Sequence, residues 1–165
     1  MKTVKVEALT VEKFLPFGYY SGMVNPKWEK LGAPPIEFYR DMLKLDIGGG
    51  NVAFSTLRVE KRPFVIDKSE YHNHTEEGIL PLDNDIILHV APATGGGVFP
   101  ANKVRVFKVP AGTMLILRTG VWHHAPYTLN GKPANILIAL PERLYNNDCV
   151  GYNLKPSEVM KIAVK

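Results

Sequence analysis

Cysteine is almost missing from this chain: Cys149 stands alone among 165 residues, so no internal disulfide can form and a reducing compartment is expected. Long apolar runs are missing too. No stretch of about eighteen apolar residues occurs, which excludes a helical membrane span, and the opening MKTVKVEALTVEKF lacks the apolar core of a secretion signal. The expected location is the cytoplasm. Blocks of one charge are also absent: twenty Lys and Arg are scattered among sixteen Asp and Glu, for a net charge of +4. A nucleic-acid partner would call for clustered cations interleaved with aromatics, so none is expected. Mild basicity suits a small anionic molecule equally well. There is no G-x-S-x-G elbow, and no phosphate-binding lysine follows the Gly48–Gly50 triplet. Cys149 lies in NNDCV with no histidine near it in sequence, and reads as a small apolar residue rather than a nucleophile.

What the chain does have is alternation. NVAFSTLRVEK, Asn51 to Lys61, alternates apolar and polar residues with period two, and short apolar runs follow at DIILHVA, VRVFKV, TMLILR and ANILIAL. Turn signals separate them at Pro81–Asp85, Gly95–Gly97, Pro110–Gly112 and Asn130–Pro133. Many short strands with such punctuation predict an all-β sandwich or barrel. The length suits one domain spanning 1–165. Helical signal is confined to two turns, one capped by Thr10 over Val11–Leu15 and one capped by Ser157 near Glu158–Lys161. EFYRDMLKL, Glu37 to Leu45, is ambiguous on pattern alone.

Histidine is concentrated. Four of the five fall in two short clusters, YHNHTEE and VWHHAP. In an extended strand residues two apart share a face, so His72 and His74 are expected to project together, with Glu77 swinging back past a bend. Imidazole and carboxylate together suit Zn, Ni, Mn or Fe. Adjacent residues face opposite ways, so only one of His123 and His124 can join them. His123 is the expected ligand and His124 the neighbour behind it. The lone His89 in DIILHVAP reads as a core residue.

The order and spacing of FLPFGYY, FYRDMLKL, STLRVEKRP, EYHNHTEEGILPL, GVWHHAP and ERLYNNDCV resemble the ureidoglycolate lyase family of the cupin superfamily over most of the chain. The resemblance implies a cupin-type double-stranded β-helix, or jelly roll, with short peripheral helical turns, and makes EFYRDMLKL a strand. It implies an enzyme that cleaves ureidoglycolate to glyoxylate and urea, a divalent transition metal, and a homodimer. His72 and His123 match family histidines, whereas Tyr71 and Glu77 stand where the family has arginine and glutamine. Carried over in this way, Arg58 is the expected anchor of the substrate carboxylate, with Tyr71 and Arg118 as further substrate contacts. Glu76 or His124 is the expected acid that protonates the departing nitrogen. The His-x-His-x-x-Glu pattern also leaves open another metal-dependent reaction, a sugar-acid isomerase or a dioxygenase, or a small-molecule binder without catalysis.

Overall fold

The computed structural model describes residues 1–164. The chain begins with β1 (Lys2–Ala8) and a single helical turn, α1 (Val11–Phe14), where the Thr10 side chain accepts the Lys13 N–H at 3.4 Å. Then come β2 (Gly18–Gly22), the hairpin β3 (Lys30–Ala33) and β4 (Ile36–Tyr39), and the long β5 (Val52–Val59). The strands β6 (Val65–Ile66), β7 (Lys68–Tyr71), β8 (Glu77–Pro81) and β9 (Ile86–Ala91) carry the chain past the first histidine cluster. The second cluster lies among β10 (Arg105–Val109), β11 (Thr113–Leu117), β12 (Trp122–His123), β13 (Tyr127–Thr128) and β14 (Ala134–Pro141). A second turn, α2 (Leu144–Asn147), then β15 (Val150–Asn153) and β16 (Met160–Ala163), complete the described elements.

These strands form two main sheets. One is five-stranded and antiparallel, in the order β2-β11-β8-β14-β5. The other is nine-stranded, in the order β15-β7-β12-β9-β10-β1-β16-β6 with β13 beside β9, and is parallel only where β1 meets β10 and β16. The fold is the all-β, cupin-type jelly roll with short helical turns. Period two explains the layering: Ile79, Leu115, Leu117, Ile136, Ile138 and Leu140 from the smaller sheet meet Ile86, Leu88, Val90, Phe107 and Val109 from the larger one. Alternate residues of the larger sheet, among them Ile87, Ala91, Val106 and Trp122, build a second cluster on its other face with Leu154, Met160 and Ile162.

Two expected elements differ. Ser157 lies in a turn rather than at a helix start, because Met160 and Ile162 are buried at period two and belong to β16. EFYRDMLKL is a strand only as far as Tyr39, and the chain from Arg40 to Gly48 runs without strand pairing across the smaller sheet. There Met42, Leu43, Leu45 and Ile47 line a groove with Phe54, Met114 and Ile116, so these apolar residues cover a sheet face instead of extending the sheet.

Candidate metal centre

Parity within the strands decides which chemical groups enter the interior. On β8, Glu77, Ile79 and Pro81 are buried, and Glu77 lies opposite Leu117 across the ladder to β11. On β12, Trp122 packs into the outer cluster, so its neighbour His123 points inward. His123 is opposite Glu70 of β7, which places both side chains on the same interior face. His72 follows the end of β7 and is held by main-chain contacts: its carbonyl accepts the N–H of Gly120 at 2.7 Å, and its ring nitrogen Nδ1 lies 2.7 Å from the Asp148 carbonyl. Gly120 adopts φ +78, a left-handed conformation that glycine takes without strain, and a Cβ there would stand 3.0 Å from the Ala93 Cβ.

The result is a buried triad. One ligand atom each from His72, Glu77 and His123 lies within 4.8 Å of the others. Glu77 Oε2 is 3.3 Å from His72 Nε2 and 2.6 Å from His123 Nε2, with all three side chains at most 9% exposed. The tautomers follow from the far side of each ring. Nδ1 of His123 lies 2.9 Å from the Val121 carbonyl, as Nδ1 of His72 lies against Asp148, so both rings donate N–H outward and turn the Nε2 lone pair inward. The His123–Glu77 contact has ion-pair length, yet its direction is too bent for a hydrogen bond, and His123 Nε2 has no hydrogen-bond partner. Two lone pairs and a carboxylate aimed at one point are an arrangement that a cation between them would stabilise.

A proton is one such cation. Burial alone would push the Glu77 carboxyl up, but the facing His123 and His72 rings outweigh it and hold it at about 2. Burial likewise disfavours the His123 imidazolium, while Glu77 raises it to about 9. A divalent metal ion is the other, and the donors suit it: two neutral imidazoles with outward N–H anchors and one carboxylate are ordinary Zn, Mn, Fe or Ni ligands.

These groups sit at the edge of an interior cavity of about 150 Å³. Leu57, Ile79, Ile138 and Leu140 form its apolar wall, and Glu70, His124, Tyr145 and Cys149 also face it. Burial lowers His124 below the usual histidine value, against the opposing pull of Glu70. The Cys149 thiol donates to Glu70 Oε2 at 3.2 Å, and burial followed by that contact pushes the thiol up to about 12. A larger groove of about 550 Å³ lies on the outer face of the smaller sheet, where Lys44 and Asp41 are its only side chains charged at neutral pH. It holds no imidazole and is remote in kind from the triad.

Several expected residues are placed elsewhere. His74 does not join the triad, because β7 ends at Tyr71 and residues 73–74 form a bend, so strand parity no longer applies; the exposed His74 gives its backbone N–H to Asp148 Oδ2 at 2.8 Å. Glu76 turns away from the cavity, and its Oε2 accepts the Tyr19 hydroxyl and the Asp46 N–H, each at 3.0 Å. Arg58 is exposed on the outward parity of β5 and pairs with Glu60. Arg118 is exposed, 5.8 Å over the Tyr19 ring. Tyr71 faces the outer cluster, its ring 4.4 Å from that of Trp122. His89 is a core residue, fully buried, and desolvation holds it near 3 and therefore neutral. Sequence reading missed Glu70 and Asp148. The E-x-H spacing Glu70–His72 was available as a signal, but the role of Asp148 needed its contact with a bend 75 residues away.

The chain is, as a class, a two-sheet β-sandwich of jelly-roll type in whose interior two histidines and a carboxylate converge as a group that could hold a metal ion. The model of the family described as "Ureidoglycolate lyase" matches residues 1–161, and the chain belongs to that family. The chain is 29% identical over 143 residues to a ureidoglycolate lyase of Burkholderia mallei, covering 84% of this chain and 82% of the relative. It is 26% identical over 126 residues to one of Rhodobacter capsulatus, covering 74% and 77%. Among solved structures it is similar to oxalate decarboxylase from Bacillus subtilis, at 17% identity and a TM-score of 0.43 over 62% of this chain, and the match spans 23% of that longer protein.

Proposed function

We propose that this chain is a metal-dependent ureidoglycolate lyase that releases urea and leaves glyoxylate. The observation carrying the reading is the convergence of His72, Glu77 and His123 on one point beside a small interior cavity, in a chain of this family. At about 150 Å³ the cavity is below the usual range for drug-sized ligands and suits a metabolite of a few heavy atoms. A divalent ion held by the three side chains would supply Lewis acidity to an α-hydroxy carboxylate, making its hydroxyl more acidic.

The chain's own residues carry the proton. His124, kept neutral by burial, takes the proton of the substrate hydroxyl. The carbon–oxygen bond becomes a carbonyl, the carbon–nitrogen bond breaks with its electron pair on nitrogen, and His124 returns the proton to that nitrogen. Leu57, Ile79, Ile138 and Leu140 limit water beside the reacting carbon. Arg58, the expected carboxylate anchor, does not line the cavity, nor does Arg118, so in this reading the carboxylate is held at the triad. Urea release from racemic ureidoglycolate by metal-loaded protein, lost in His72→Ala, tests the proposal. Metal-loaded protein that releases no urea overturns it.

The donor set itself favours a second reading. Without His74, two histidines and one carboxylate remain, the set used by non-haem iron oxygenases. Oxygen consumption with an iron-loaded sample, in the absence of urea release, would select it. We further propose that the enzyme works in the cytoplasm, as a symmetric dimer. In support of the dimer, the two-stranded β3–β4 sheet pairs with no other strand among the described residues, and it exposes Ile36 at 79% and Phe38 at 61%. A monomer in sedimentation equilibrium would overturn this.

A further inference from the structure

Two carboxylates in different settings line the cavity. Glu77 faces the Nε2 atoms of His72 and His123 at 3.3 and 2.6 Å. Glu70 is half-buried, directly opposite His123 in the β7–β12 pair, and stands outside the group of three that could hold a metal. Glu70 Oε2 accepts the Cys149 thiol at 3.2 Å, which fixes the carboxylate's orientation. No lysine or arginine lines the cavity. A carboxylate with no lysine or arginine beside it in the cavity repels an anionic group and accepts hydrogen bonds from N–H donors.

We propose that Glu70 is the specificity residue for the ureido end of the substrate, accepting its N–H groups, and that Cys149 is the positioning residue that orients Glu70. The proposal rests on the ureidoglycolate reading above and deepens it. The two groups together set how a ligand lies. A hydroxy acid whose carboxylate is held at the triad has its nitrogen substituent in the same cavity as Glu70, the one lining carboxylate outside the triad, whose oxygens accept N–H donors and disfavour a second anion. Glyoxylate and simple hydroxy acids lack the donors and gain nothing from Glu70. Hydrogen bonds to a charged acceptor are worth enough to separate the two classes by about 10- to 100-fold.

Titration calorimetry on metal-loaded protein tests this with two unreactive probes. Ureidoacetate has a carboxylate and a urea group, and glycolate has a carboxylate and a hydroxyl but no N–H. Glu70→Ala is expected to weaken ureidoacetate about 10- to 100-fold and to leave glycolate unchanged or tighter, since a like charge has been removed. Glu70→Gln, whose amide oxygen still accepts, should recover part of the loss. Cys149→Ala should weaken ureidoacetate alone, and less than Glu70→Ala does. A general disturbance of the cavity would weaken both probes, so equal losses, or no loss, overturn the assignment of Glu70. Wild-type protein that binds glycolate and not ureidoacetate overturns the ureido substrate itself, a different failure from the first.

Discussion

The Asp148 carbonyl lies 2.7 Å from Nδ1 of His72, and the carboxylate of the same residue accepts the backbone N–H groups of Asn73 and His74 at 2.7 and 2.8 Å. One residue after α2 therefore sets both the ring orientation of His72 and the bend that follows it. That relationship makes Asp148 the support on which the first histidine cluster rests.

Asp148→Ala keeps the carbonyl but frees the bend. Loss of such an outer support typically costs 10- to 100-fold in metal affinity, and about that drop is expected in competition with a chromophoric chelator. Urea unfolding should show about 1–3 kcal/mol of lost stability, since two backbone donors lose a charged acceptor.

The three convergent side chains should behave differently from the neighbouring histidine. His72→Ala, His123→Ala and Glu77→Ala are each expected to abolish stoichiometric metal in elemental analysis. His74→Ala should retain it, because His74 is exposed and contributes only its backbone N–H to the structure. Metal lost equally in His74→Ala would place the site elsewhere.

The contrast between His72 and His74 shows what could be read from sequence. The runs 52–59, 86–91, 105–109, 113–117 and 134–141 alternate or stay apolar because buried sheet faces demand it, so the jelly roll was legible. Glu77, expected past a bend, and His123 both lie on strands, where parity fixes the direction of the side chain. The expected residues that the structure places elsewhere lie either where parity ends or on a strand face that sheet stacking turns outward. His74 is in a bend, Glu76 precedes β8 and binds the covering segment, and the outward faces of Arg58 and Tyr71 depend on which side of each sheet meets its partner. Sheet stacking is a long-range fact that a local pattern does not hold.

Glu76 is expected to act on stability rather than on chemistry. Its carboxylate joins Tyr19 of β2 to the main chain at Asp46, tying the strand-free segment over the smaller sheet. Burial, then the Glu76 contact, pushes the Tyr19 hydroxyl up to about 12. Glu76→Ala should lower stability by about 1–2 kcal/mol in urea unfolding and change kcat for urea release by less than about threefold.

The arginines make a matching prediction with the opposite emphasis. Arg58 and Arg118 lie outside the cavity, exposed on the outer surface. Alanine at either should leave KM within about twofold, the scale of an exposed charge pair. His124→Ala should lower kcat by about 10²- to 10⁴-fold, as removal of a general acid–base group does. A large KM effect at Arg58 would return the carboxylate anchor to that strand.

The last prediction concerns pH and lies far from the cavity. Arg105 of β10 grips Glu7 of β1 with two hydrogen bonds of 2.9 and 2.6 Å, across one of the few parallel strand pairs, and also donates to the Lys13 carbonyl at 2.8 Å. The Arg105 hydrogen bonds lower the Glu7 carboxyl below its ordinary 4.5, against a smaller effect of burial. A carboxyl depressed in the folded state stabilises the protein fully above its unfolded value, and that contribution is lost as pH falls through the folded value. Glu7→Gln should therefore cost about 1 kcal/mol at pH 7, the scale of a partly exposed bidentate pair. The gap between wild type and variant should then close as the pH is taken well below 4.5. Urea unfolding of both proteins along a pH series measures it, and a gap that stays constant to the lowest pH would show that Glu7 contributes through packing rather than through its charge.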